Sequence, residues 1–184
     1  MFEGQKIRLR GITADDWRHH AAWDADSDAE RFGWQIWPPK GEEAAKEWAR
    51  AESLKRPVDG NMRLMIETLD GDAVGSVSVR PDARRFSFEY GINVVREQWG
   101  NGYAQEAVEL VCRYMFGELR MHKVQAYVYA FNRRSLSMHR KFGMAQEGVL
   151  REARILTALN QTDGPSRHEL ADLIARIYHL HPEE

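Results

Sequence analysis

The chain has 184 residues, 43% of them hydrophobic and 29% charged, with 26 Lys and Arg against 28 Asp and Glu. This size supports one substantial core and a single domain over 1–184, and the near-balance of charge argues against a general nucleic-acid binder. No apolar run approaches membrane-spanning length, the N-terminus lacks a charged-then-apolar signal segment, the single Cys (Cys112) excludes an internal disulfide, and no Cys/His cluster has metal spacing, so a cytosolic protein without membrane or metal is expected.

Lys6–Arg10 alternates apolar and basic residues and reads as the first strand. Thr13 followed by Ala14, Asp15 and Asp16 is an N-cap with acids in the first turn. The helix behind it carries Trp17, Ala21 and Ala22, and Ser27–Glu30 begins a short second helix. His19 and His20 are adjacent, so they diverge on a helix and make a poor ligand pair. Residues 32–39, with Phe32, Trp34 and Trp37 and two closing prolines, form a stiff aromatic loop. A helix follows over about 41–54, with Ala44, Ala45, Trp48 and Ala51 on one face.

Met62–Thr68 and Ala73–Val79 are strands joined by the Asp70-Gly71 turn signal. Residues 86–94 form the next strand. Ala104, Ala107, Val108, Val111, Met115 and Leu119 then recur at helical spacing as one apolar stripe, with Cys112 beside it as a core residue. Lys123–Ala130 is another strand, followed by a short helix, a strand from Gly148 to about Ala158, a polar turn over 160–165, and a last strand from Glu169 to about Tyr178 with a frayed tail from His179.

Between the strand ending at Val94 and the striped helix lie Gly100 and Gly102. A glycine lets backbone turn tightly and approach a ligand closely. The first N–H groups of the helix have no internal partner and carry the positive end of its dipole, so such a turn is suited to phosphate. The Rossmann fingerprint fails for want of a third glycine and a ribose-binding acid, and the Walker loop fails because Tyr103 follows Gly102. Charge is also uneven. Residues 120–154 hold eight Lys/Arg and two acids, suited to a polyanionic cofactor, whereas 12–52 hold ten acids and five bases, which face either solvent or a cationic acceptor.

Trp99-Gly100-Asn101-Gly102-Tyr103-Ala104 with Glu106-Ala107, and then Asn132, Ser135, Lys141, Gly143, Met144, Glu147 and Gly148, together resemble the GNAT N-acetyltransferases, above all their RimJ/RimL-type branch. The resemblance is strong over 86–150 and loose outside. It implies an α+β fold: a mixed, mostly antiparallel seven-stranded sheet flanked by helices and splayed between its fourth and fifth strands.

It also implies acetyl transfer from acetyl-CoA to a primary amine of a protein N-terminus or a small molecule. Backbone N–H groups of Gln98, Trp99, Gly100, Asn101, Gly102, Tyr103 and Ala104 would hold the pyrophosphate. The edge of Ile92, Asn93 and Val94 would pair with pantetheine, and a backbone N–H of Asn93 or Val94 would stabilise the oxyanion. Arg134, or its neighbours Arg133 and Arg140, would meet the 3′-phosphate. Asn132 would bind pantetheine amides.

Glu89 is either the base or the partner of a nearby Arg. His139 stands where many members carry a catalytic Tyr, and is either an acid or a packed helix residue. Ser135 either bonds the sulfur or caps its helix. Phe32, Trp34 and Trp37 would line the acceptor site or serve as core. A non-catalytic acyl-CoA-binding sensor is the alternative to an enzyme, and monomer and homodimer both stay open.

Overall fold

Alternation at the N-terminus is realised as β1 (Ile7–Gly11), with Ile7 and Leu9 buried between partly exposed arginines. The computed structural model describes residues 1–33, 36, 38–58, 60–82 and 86–150, and the backbone of 175–180. Within it the chain divides into two compact units, Met1–Met121 and His122–Glu184.

In the first unit β1, β2 (Met62–Thr68), β3 (Ala73–Pro81) and β4 (Ser87–Val94) form an antiparallel ladder in sequence order. Gly71 supplies the left-handed conformation of the β2–β3 hairpin, with φ of 101°. Leu64, Met65, Ile66, Glu67 and Thr68 are buried in succession, so both faces of β2 are covered. Three helices separate β1 from β2: α1 (Trp17–Asp24), α2 (Ser27–Glu30) and α3 (Glu42–Ser53). α4 (Tyr103–Gly117) packs on β1, β3 and β4. Its buried stripe is Ala107, Val108, Leu110, Val111 and Met115; Ala104 and Leu119 are only partly covered.

Two faces differ from expectation. In α1 the buried residue is His20, while Ala21 and Ala22 are exposed; in α3 they are Ala45 and Ala49, not Ala44 and Ala51. Small alanines give a weak periodic signal, and the aromatic and ionic neighbours decide the orientation. His20 lies edge-on to Trp23 and Trp48 at ring-centroid distances of 4.9 and 4.4 Å.

A charge network ties the helices to the sheet. Arg10 meets Asp16 with two parallel bonds of 2.8 and 2.9 Å and also bonds Glu67, which Arg8 contacts from directly opposite on β1. Asp16 and Glu67 are 3% and 6% exposed, so these carboxylates require their partners. Burial pushes the Asp16 carboxyl up, but the Arg10 guanidinium and the Thr13 N–H outweigh it and hold the group at about 2.

In the second unit β5 (Lys123–Tyr129), β7 (Ala175–Leu180) and β6 (Ala145–Leu150) form an antiparallel ladder with β7 in the middle. α5 (Arg133–Lys141) buries Leu136 and His139. β6 starts three residues before the expected Gly148. β7 runs through His179, which is paired with Gln125 and Ala145 rather than frayed. The polar turn over 160–165, and most of the expected strand beyond Leu150, lie outside the described residues. The pairings within the units form a four-stranded ladder in the first and a three-stranded ladder in the second.

Burial, followed by the nearby Arg63 charge, lowers His20 from its ordinary 6.5 to about 4. Its Nε2 is buried without a hydrogen-bond partner among the described residues. The imidazole is therefore held neutral. Its contribution to stability is complete above pH 6.5 and is lost as pH falls from 6.5 toward 4. In urea unfolding between pH 7 and 4, the native sequence should lose about 3 kcal/mol more than His20→Leu. Parallel curves would contradict this account of the buried histidine.

Candidate active site

The pairing of β4 with β3 decides which backbone groups can meet a ligand. Asp82 donates to the Ser87 carbonyl at 2.8 Å and Val95 to the Val74 carbonyl at 2.9 Å, at either end of a ladder without a register shift. Antiparallel strands alternate, so Glu89, Gly91 and Asn93 turn their backbone groups toward β3. Those of Phe88, Tyr90, Ile92 and Val94 turn away from it. The Asn93 N–H is therefore not an outward donor, and the oxyanion expectation narrows to Val94. A Cβ on Gly75 would lie 2.1 Å from the Asn93 carbonyl, so only glycine lets the strands approach this closely.

Side chains alternate as well. Phe88, Tyr90 and Val94 are buried, and Phe88 meets Phe116 of α4 at 5.4 Å. Glu89, Gly91 and Asn93 share the other face. Glu89 accepts from Arg80 Nη2 at 2.8 Å, across the strand pair. The pairing with a neighbouring Arg is thus present, and it also fixes where that carboxylate points.

Past β4, Arg96–Gln98 form a single 3-10 turn. The N–H of Gln98 goes to the Val95 carbonyl at 2.9 Å and that of Trp99 to the Arg96 carbonyl at 3.1 Å. Both are spent, so the expected phosphate cradle shortens to Gly100–Ala104. Gly100 and Gly102 have φ of 92° and 85°, conformations that a side chain would strain. Among the described residues no side chain caps the head of α4. Its first N–H groups and dipole are therefore presented as an anion would need them, and the turn fits a pyrophosphate. Asn101 Nδ2 donates to Gln98 Oε1 at 2.8 Å and stiffens the turn. Trp99 Nε1 donates to the Val94 carbonyl at 2.7 Å, tying the turn to the outward edge of β4. Burial lifts the Cys112 thiol to about 12, as expected of a core cysteine.

The role of Glu106 is absent from the sequence reading. Its carboxylate accepts from the N–H groups of Gln5, Lys6 and Ile7, and Lys6 Nζ donates to the Asn101 carbonyl at 2.9 Å. The start of the chain is thereby clamped to the first turns of α4. A cleft of about 490 Å³ beside this clamp is lined by Glu3, Lys6, Glu106, Glu109 and Arg113, a mixture that favours no ligand charge. No local pattern signals the clamp, because its partners are about a hundred residues apart.

In the second unit Asn132 is the cap of α5, its Oδ1 accepting from the Ser135 N–H at 3.1 Å. Capping therefore belongs to Asn132 and not to Ser135. His139 is 2% exposed, and its Nδ1 lies 2.6 Å from the Ser135 carbonyl, which can only accept, so Nδ1 carries the proton. Burial lowers its pKa despite this bond. A neutral, enclosed imidazole fits the packed reading. Arg134 is exposed on α5. Phe32 is 41% exposed and meets Trp99 edge-on at 5.8 Å. Trp34 and Trp37 lie outside the described residues.

Replacing Glu106 with Ala should cost about 2 kcal/mol in urea unfolding, because up to three N–H groups lose their acceptor, while Glu106→Gln should keep part of it. Unchanged stability in both would contradict the clamp.

Known proteins fit this geometry. The chain is 29% identical over 151 residues to the SPbeta prophage-derived uncharacterized N-acetyltransferase YokL of Bacillus subtilis (strain 168), covering 81% of each. Its fold matches an acetyltransferase of the GNAT family from Bacillus anthracis at a TM-score of 0.76, with 17% identity, over 100% of this chain and 99% of the other. It matches spermidine N-acetyltransferase from Vibrio cholerae, solved with CoA and spermine, at 0.75, also with 17% identity and over 96% of each chain. The sequence model of the acetyltransferase (GNAT) domain matches residues 6–145, on which ground the chain belongs to the GNAT acetyltransferase family and is an enzyme that transfers acyl groups.

Proposed function

We propose that this protein is an acetyl-CoA-dependent N-acetyltransferase acting on a primary amine, with 1–184 as one acetyltransferase domain. The observation that carries the reading is the junction of β4 and α4. Backbone groups of Ile92 and Val94 face away from β3, and within ten residues the chain presents two left-handed glycines and a helix head that no side chain of the described residues caps. A pantetheine arm needs the first and a pyrophosphate the second. The Trp99-Gly100-Asn101-Gly102-Tyr103-Ala104 wording supports the RimJ/RimL-type branch. Asn132 and Arg134 are carried as further cofactor contacts on the resemblance.

The reaction then runs by direct attack. Glu89, directly or through water, takes one proton from the alkylammonium. The neutral amine forms a bond to the thioester carbon, and the Val94 N–H stabilises the developing oxyanion. As the C–S bond breaks, the second proton leaving nitrogen restores the CoA thiol, and no imidazole is required. Asp24, Asp26, Asp28 and Glu30 lie together at α1 and α2, and burial, followed by Asp24 and Asp26, raises the Glu30 carboxyl. This concentration of negative charge supports a cationic acceptor, whether small molecule or protein N-terminus.

Thiol release from acetyl-CoA should be followed with spermidine, amino acids, an aminoglycoside and short peptides with free N-termini. Release dependent on one class of amine is expected. Silence, together with no rise in melting temperature on adding acetyl-CoA, would contradict the proposal. Glu89→Gln should lower turnover at least tenfold with cofactor affinity unchanged; full activity in that variant would remove Glu89 from the mechanism.

A further inference from the structure

The segment between β4 and the glycine turn is fastened to α2 at two points. Arg96 Nε lies 3.4 Å from Asp26 Oδ2, and Arg96 Nη1 lies 3.4 Å from Asp28 Oδ2. Three residues on, the Trp99 ring meets Phe32 edge-on at an interplanar angle of 89°. These contacts join segments 68 residues apart in sequence.

Neither link belongs to the core. The Arg96 side chain is 49% exposed and Asp28 66%, and ion pairs of that exposure contribute little to stability. Their use is positional. Asp26 has a second task, since its Oδ1 accepts from the N–H groups of Asp28 and Ala29 and so starts α2. Trp99 likewise has a second task, at the Val94 carbonyl. One short segment, 96–99, therefore touches the outward edge of β4, leads into the anion-binding turn, and holds both α2 and Phe32. An element shared in this way transmits the geometry of one side to the other.

We propose that Arg96 is a positioning residue that sets α2 and Phe32 for the amine acceptor without touching acetyl-CoA. The inference rests on the acetyltransferase reading and names where its acceptor specificity is fixed. A guanidinium presents its donors in a planar, rigid fork that fixes its direction toward two carboxylates, whereas an ammonium is a point charge on a flexible stem, so Lys restores only part of the function.

The test compares the native sequence, Arg96→Gln and Arg96→Lys in full chains, with spermidine and a short peptide bearing a free N-terminus as acceptors. Acetyl-CoA affinity is read separately by calorimetry. Arg96→Gln should raise the acceptor KM about five- to tenfold, with kcat and the acetyl-CoA Kd within about twofold, and Arg96→Lys should fall between. An unchanged KM overturns the inference. A lowered KM overturns it too, because it would mean that Arg96 only screens the acids of α2 from a cation. Equal losses in KM, cofactor affinity and melting temperature would overturn it in favour of a purely structural role. If the native sequence binds no acetyl-CoA and acetylates neither amine, the underlying acetyltransferase reading falls with it.

Discussion

The register of β4 against β3 is the constraint on which the site depends. A strand has one backbone donor and acceptor per residue and turns them alternately to its two edges. With Ser76 opposite Asn93 and Gly75 opposite Val94, the groups of Ile92 and Val94 are committed to the far edge. A slip of one residue would turn them inward and reverse the two faces of the strand, moving Phe88 and Tyr90 off α4. Gly75 guards the register, because any Cβ there would collide with the Asn93 carbonyl. Trp99 adds to it by donating to the Val94 carbonyl, so the turn that follows starts from a fixed point.

Ionic contacts in the first unit fall into two kinds. The Arg10–Asp16–Glu67 group joins β1, β2 and the start of the helices, with both acids almost fully covered. Removing Arg10 would leave Asp16 buried without its counter-charge and Glu67 with Arg8 alone, at a cost on the order of 3–5 kcal/mol. Lys46 with Glu42 and Glu43, or Arg18 with Asp15, are exposed pairs between near neighbours in sequence and contribute little. Stability is therefore concentrated where helices meet sheet.

The strands are legible because 73–81 and 123–129 alternate, with β-branched or aromatic residues marking one face, and because 62–68 is a short, mostly apolar run that ends just before the Asp70-Gly71 turn signal. The glycine turn was legible for a different reason. Positive φ leaves few residue types to choose from, so the chemistry is written in the glycines themselves. Features set by distant partners were not legible. Glu106 looks like an ordinary acid in a first turn until it is seen to hold the amides of residues 5–7. His20 sits among alanines and is buried only because Trp23 and Trp48 close over it. The oxygen of Asn132 accepts the Ser135 N–H and starts α5, a role that its place in a motif does not announce. His139 could not be assigned from its place in a motif, since its burial and its bond to the Ser135 carbonyl depend on the packing of α5.

Backbone amide NMR of the full chain during titration with acetyl-CoA tests the central claim most directly. The account predicts that the amides of Ile92, Val94 and Gly100–Ala104 shift and gain protection from exchange, while those of Gly91 and Asn93, already turned toward β3, change little. Shifts centred on Gly91 and Asn93, or a titration that leaves the glycine turn untouched, would contradict it.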